Sequence, residues 1–479
     1  MIQHCVRSLL CISVFFTVLT GSLMAQSEDS VILKIYSVQE LKADFNYWRN
    51  RLESKHPLLY YYESKAIIDS AFNSLEAQID HPMDEFEFFN LIAPMVELIK
   101  DGHNSVLPSH EGVEAIIKNQ NLLPLVVGFH DDYLYVRRDY SLKNELEIGA
   151  TITHINGIPH DSLIQSLMRV LPRDGYNLQY ARTELNDIFR FYFHVVHGFN
   201  EEYVIGTSGP FGDSEFTVKA LDLNTIRERR KKLYGKSLLA NEGKIDLEIS
   251  DSLQTAFLTI PTWDRKTIKK EFRQNFKKVI RTYMKEIRER DVDHLVIDVR
   301  GNGGGNPTYV RYLLQYLFDE PFLQSMECRV VSRKHEEDFE KRTRRKWYPW
   351  YGIGKFRNRK KHFDGSLYVL MDQGSFSASA CFVAILDNYN KGRLLGSTTA
   401  GNPHIHSGYL NKTSVKLPNT KMRVAPGNLC NRYKEISERE GYGLDPNIEV
   451  IYSRQDIIDG RDRTMETVLN MINFKPRTQ

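Results

Sequence analysis

Apolar residues recur every three or four positions between Leu41 and Ile99, then at shorter, strand-like intervals beyond Leu122. Leu41, Phe45, Trp48 and Leu52 fall on one face of a helix. Ser37 followed by Glu40 supplies a capping box at its start, and His56-Pro57 ends it. Ile68, Phe72, Leu75 and Ile79 continue the period, as do Phe89, Ile92, Val96 and Ile99. Residues 31–110 are therefore expected to form a helical N-terminal domain.

Residues 111–240 read as a β-rich module. Pro124 to Phe129 and Tyr133 to Val136 flank the Asp131-Asp132 turn of a hairpin. Gly149 to Pro159 is a strand entering an Asn156-Gly157 turn, followed by a short helix over Ser162 to Leu171. From 241 to 476 strands and helices alternate. Thr255 to Ile260 is a strand, Lys266 to Arg290 one long amphipathic helix, and His294 to Val299 a buried strand broken by Gly301. Tyr309 to Phe318 is a helix, Leu367 to Met371 a strand, Ser377 to Asn388 a helix, and Arg393 begins another strand. That rhythm predicts an α/β layered domain with parallel pairing, so the fold class is multidomain α/β.

Composition narrows the function. With 64 Lys and Arg against 61 Asp and Glu, the net charge of +3 singles out no nucleic acid or acidic partner. The Arg333 to His362 segment mixes basic residues with Trp347, Tyr348, Trp350 and Tyr351, a pattern that can stack single-stranded nucleic acid. In an exported enzyme it reads instead as a surface insertion or lid. Arg7, the apolar run from Leu9 to Leu19 and the small residues up to Ala25 resemble a secretory signal over residues 1–25, with an uncleaved anchor as the alternative. Once it is removed, no stable membrane insertion is expected, and the location is periplasmic or extracellular. Cys328, Cys381 and Cys430 remain, and read as small buried hydrophobes before a disulfide framework. No spacing of His and Cys suggests a metal: His404 and His406 are close, but a third ligand is not evident. No cofactor is expected.

Three places carry candidate chemistry. Gly301 to Gly305 follows a buried strand, and consecutive glycines let amides converge as an oxyanion site requires; a plain strand-to-helix turn explains them equally. Ser377 opens a helix, where positive backbone potential suits a nucleophile, although local sequence alone favours an ordinary N-cap. His103, in Asp101-Gly102-His103, is by itself more often structural than catalytic.

Taken in order, these segments resemble the tail-specific (C-terminal processing) serine peptidase family, nearer its tricorn-core and retinoid-binding-protein branches than its Ser-Lys branch. Asp298 to Gly305 looks like the family's Asp-x-Arg-x-Asn-x-Gly-Gly loop, and Phe376 to Ala380 like its nucleophile segment. Leu394 to Pro403 and Glu440 to Asn447 are similar to the two closing motifs, and Gly149 to Pro159 to a strand of the family's PDZ-like module. The resemblance implies a PDZ-like module at 111–240 and a crotonase-like serine peptidase domain at 241–476. It also implies a peptide or polypeptide substrate, Ser377 as nucleophile, His103 as base and Glu440 behind it. Gly303, Gly304 and Ala378 would form the oxyanion hole.

The departures are specific. Asn402 stands where the Ser-Lys branch has its lysine, Gly102 where the tricorn-like branch has a hydroxyl, and Ala380 where a glutamate is common. Asn447 replaces a closing Asp. They leave open a second class, a catalytically degenerate relative that binds a peptide or apolar ligand, and a third, an esterase-like hydrolase.

Overall fold

The computed structural model describes residues 33–130, 132–209, 212–234, 243–346, 353–410, 414–435 and 437–473. The signal expected over 1–25, and Trp347, Tyr348, Trp350 and Tyr351 of the basic aromatic segment, lie outside the described residues.

The N-terminal helices form where the period placed them. Val38–Lys55 starts at Ser37 with both arms of the capping box made. Its buried Phe45 and Trp48 pack edge-on against Phe72 of the next helix, Lys65–Ala77. Met95–Ile99 is the last helix before Lys100, whose φ of 55° turns the chain out of the helix and into Asp101-Gly102-His103.

Leu125–His130 and Tyr133–Asp139 pair antiparallel as predicted. Asn156 and Gly157, both at positive φ, make the tight turn between Thr151–Ile155 and Ile158–Pro159. A long helix not expected from the sequence, Gln179–His197, packs on this sheet with a kink at Ile188. Helices and sheet share one continuous apolar core. Leu417, Met422 and Val424 of the C-terminal region enter that same core. Asp44, fully buried, fixes this insertion by accepting the amides of Asn419 and Thr420 and the Thr420 hydroxyl.

The C-terminal region is built on a six-stranded sheet with a second core. Across it run Ile448–Glu449, Arg393–Gly396, Ser366–Met371, His294–Asp298, Thr255–Thr259 and Asp246–Ser250. All neighbours pair parallel except the last two, which are antiparallel. The helix predicted as one piece over 266–290 is two, Arg265–Lys270 and Phe276–Glu289. Arg273 at φ 53° and the Asn275 cap separate them. The following helix is Pro307–Leu314, with Pro at its start and Asn306 as cap, rather than 309–318. Cys328, Cys381 and Cys430 are buried and free.

Candidate active site

Two neighbouring parallel strands deliver two loops to one edge. His294–Asp298 runs into the glycine loop, and its neighbour Ser366–Met371 runs into the turn carrying Ser377. Ligands gather at such carboxyl ends in open α/β sheets. The Asp372 carboxylate accepts the amides of Gly301 (2.7 Å) and Gly374 (2.9 Å), and Ser375 Oγ donates to the Val299 carbonyl (2.9 Å). Asn302 donates through Nδ2 to the Ile260 carbonyl (2.8 Å), and its own carbonyl accepts the Phe376 amide (3.2 Å). Behind the strand, Arg300 is held by both Asp298 and Asp462, which fixes the base of the glycine loop.

This scaffold holds Ser377 at φ 51° and ψ −117°, where a non-glycine residue is strained by about 1–3 kcal/mol. Its side chain makes no cap bond to its helix, Ala378–Asn388, so it is not an ordinary N-cap serine. Ser377 Oγ instead lies 2.9 Å from His103 Nε2. Ser379, one of two neighbouring serines, is fully buried and accepts Trp263 Nε1–H at 2.9 Å.

His103 crosses 274 positions to reach that serine. Ser105–Leu107 pairs with Arg423–Ala425, and the Tyr409 hydroxyl donates to the His103 carbonyl at 2.8 Å. The imidazole stacks between Phe376 (4.8 Å between centroids) and His406 (5.4 Å). Burial, aided by His406, pushes its pKa down to about 3, against an upward pull from Asp101. The ring is thus neutral at pH 7, and in the tautomer protonated on Nδ1 its Nε2 lone pair faces the serine hydroxyl.

The glycines are placed as an oxyanion site needs. The Ala378 amide, first in its helix, and the Gly303 amide have no protein acceptor among the described residues. The Gly304 amide differs: it donates to Asn302 Oδ1 at 3.0 Å, which removes it as a donor. Gly304 serves by lacking a side chain, since a Cβ there would lie 2.7 Å from Ser377 Cβ at a backbone φ of 105°.

Glu440 departs from the expectation. Its Oε1 accepts the Tyr61 hydroxyl at 2.6 Å, and His103 Nδ1 has no hydrogen-bond partner. The expected Glu440–His103 bond is not made: one Glu440 oxygen holds Tyr61, from the turn after the first helix, and none reaches Nδ1. The other departures are accommodated. Asn402 donates to the Tyr62 hydroxyl (2.9 Å), and its amide donates to Asp174 (3.1 Å). Ala380 is fully buried against Gly401, where an added Cβ would lie only 2.7 Å from the Ala380 methyl. Asn447 Oδ1 accepts the Leu394 amide at 2.7 Å, the service an aspartate oxygen would also give.

Asp101, His103 and Asp174 are the described residues whose ligand-type atoms come within 4.8 Å of one another. Most of their ligand-type atoms are committed elsewhere, Asp101 Oδ2 and His103 Nδ1 being the two without a hydrogen-bond partner. Nε2 faces Ser377, Asp101 Oδ1 accepts the His103 amide and the Ser407 hydroxyl, and the two Asp174 oxygens accept the Gly102 and Asn402 amides. Asp174, which the sequence did not flag, therefore ties the histidine loop to the 402 loop; burial and Asp101 both raise its pKa. His404 and His406 are likewise spent, on Ser437 and on the Asn402 carbonyl.

Residues 254–450 match the family described as Peptidase family S41. The chain is 24% identical over 123 residues to the "Tail-specific protease" of Haemophilus influenzae (strain ATCC 51907 / DSM 11121 / KW20 / Rd), covering 26% of this chain and 15% of that protein. It is 25% identical over 179 residues to the "Carboxy-terminal processing protease CtpB" of Bacillus subtilis (strain 168), covering 37% of this chain and 30% of that protein. The matches thus span less than a third of either relative's length. Among solved structures, mature CPAF superposes with a TM-score of 0.62 at 15% identity, over 91% of this chain and 96% of that one, a likeness of fold.

Proposed function

From a chain whose residues 254–450 match Peptidase family S41, we propose an exported serine peptidase that cleaves peptides or polypeptides through an acyl-enzyme on Ser377. The observation that carries this reading is the 2.9 Å approach of Ser377 Oγ to a buried, neutral His103. Serine is a weak nucleophile unless a base takes its proton as it attacks. His103 Nε2 accepts that proton while Oγ bonds to the scissile carbonyl carbon, and returns it to the leaving amine as the C–N bond breaks. Water then repeats the sequence on the acyl-enzyme and releases Ser377. The negative charge that develops on the carbonyl oxygen lies against the Ala378 and Gly303 amides. One such donor is worth roughly 10²- to 10³-fold in turnover.

The finer parts of the reading are endopeptidase action near C-termini, a PDZ-like module at 111–240, and a periplasmic or extracellular site of action. A PDZ-like module would take an extended peptide by strand addition. The names "Tail-specific protease" and "Carboxy-terminal processing protease" support that choice of substrate end. Among the described residues no helix is long and apolar enough to cross a membrane. A ligand-binding relative without activity is the second reading, favoured by the one observation that Glu440 is held by Tyr61.

The test is hydrolysis of an unfolded protein such as casein, and of peptides with free or amidated C-termini, by protein lacking residues 1–25. Turnover that falls at least about 10³-fold in Ser377→Ala and His103→Ala supports the peptidase. Turnover equal in wild type and Ser377→Ala refutes it.

A further inference from the structure

Glu440 makes no hydrogen bond to His103, yet an imidazole that accepts a proton needs an anion to steady the positive charge it gains. The residues around His103 show which carboxylate is free to do so. Of Asp174, both oxygens are taken by backbone amides. Of Glu440, one oxygen holds Tyr61. Asp101 differs from Asp174 in keeping one oxygen without a hydrogen-bond partner, and from Glu440 in being grouped with His103 within 4.8 Å. Its Oδ1 accepts the His103 amide (2.8 Å) and the Ser407 hydroxyl (2.7 Å), while its Oδ2 is buried with no hydrogen-bond partner. His103 Nδ1 is equally buried and unpartnered. An Asp101 oxygen lies within 4.8 Å of a His103 ring nitrogen.

We propose that Asp101, two residues before the base, is the carboxylate that positions the His103 imidazole and stabilises its protonated form. The inference rests on the peptidase reading above. Asp101 is a positioning residue: the proton goes from Ser377 to Nε2 and on to the leaving group, and none passes to the carboxylate. Asp101 Oδ1 closes a short loop on the amide of His103, which leaves Oδ2 without a hydrogen-bond partner. The remaining titratable groups facing it do not cancel its charge. His56 Nε2 is 3.8 Å from Asp101 Oδ2, but complete burial lowers the His56 pKa and keeps that ring neutral. His406, on the far face of His103, is neutral for the same reason. Asp174 is raised by burial and by Asp101 itself, and Tyr62 is raised by burial, which disfavours a second negative charge beside the ring. The Tyr409 hydroxyl is spent on the His103 carbonyl.

The test is the rate of fluorophosphonate labelling, with kcat and KM on a peptide substrate, for Asp101→Asn and Glu440→Gln beside wild type. Asparagine keeps the Oδ1 acceptor and removes the charge, with an NH2 group in place of Oδ2. A unit charge lost within 4.8 Å, at an effective dielectric of about 20, predicts roughly a 10²-fold fall in kcat with KM little changed. A fall below threefold in Asp101→Asn, or a deeper fall in Glu440→Gln, overturns the inference while the peptidase reading stands. Wild type that neither labels nor turns over overturns both. If Asp101→Asn lowers the thermal midpoint, Ser407→Ala decides the matter, because it strips the same carboxylate of a partner without touching its charge. Labelling within a few-fold of wild type supports the charge. A loss as deep as that of Asp101→Asn assigns Asp101 a purely structural part and overturns the proposal.

Discussion

Replacing Gly304 by alanine puts a methyl group against the turn that carries the nucleophile. Its Cβ would lie 2.7 Å from Ser377 Cβ, 2.9 Å from the Ala378 nitrogen and 2.9 Å from the Phe376 carbonyl oxygen. Carbon atoms rest about 3.5–4.0 Å apart, so the turn must yield by roughly 1 Å. A displacement of that size at a reacting group costs about 10²-fold, or about 2.7 kcal/mol of barrier. The methyl also crowds the Ala378 amide, the donor for the developing oxyanion. The φ of 105° adds about 1–3 kcal/mol of strain to the folded state. Gly157 is the control: its φ is 75°, but nothing lies within 4 Å of its Cβ position. Gly157→Ala should lose a similar increment of stability and keep its turnover. The assay is steady-state hydrolysis of a peptide substrate, with thermal melting of each variant. Gly304→Ala turning over within threefold of wild type refutes the placement of the glycine loop against Ser377.

Acid should unfold the protein early. His56, His103, His194, His197, His404 and His406 all have pKa values lowered mainly by burial, His103 to about 3 and His194 and His404 to about 4. Below about pH 6.5 the unfolded chain takes up protons at these sites and the native one does not, so stability falls as pH falls. Glu85, Asp174 and Asp372, raised by burial, work in the opposite direction but are fewer. The urea midpoint should therefore drop between pH 7 and pH 5, and a midpoint that holds or rises contradicts the burial of these rings. Activity should survive lower in pH than a free imidazole allows: an acid limb of kcat/KM with an apparent pKa near 6.5 would contradict a buried His103. Finally, burial pushes the Cys328 thiol up to about 12 and raises Cys381 and Cys430 as well. Native protein lacking residues 1–25 should leave a thiol reagent unreacted and release three thiols only in denaturant.

What the sequence made legible was what local chemistry dictates. The capping box at Ser37, the Asn156-Gly157 turn, the strands around 294–298 and 366–371 and the glycine loop all lie where their residues point. The helix Gln179–His197 escaped because its aromatic and β-branched run breaks period at the Ile188 kink, and it matters: the Tyr180 ring packs at a tilt against Phe376, 4.4 Å between centroids. The break at Arg273 was hidden by polar residues that suit a helix surface and a loop alike. The meeting of His103 with Ser377 was not readable from local sequence, since it depends on a strand pairing between 105–107 and 423–425. Glu440 came from resemblance alone, and no local signal announced that Tyr61 would take it. Asp101, by contrast, stood two residues from the base throughout.

Ser377 is either an activated nucleophile or not, and labelling of purified protein with a fluorophosphonate probe distinguishes the two directly. The proposed mechanism predicts that wild type is labelled on Ser377, and that labelling disappears in Ser377→Ala and in His103→Ala. Folded wild type that stays unlabelled, or Ser377→Ala that labels like wild type, would contradict it.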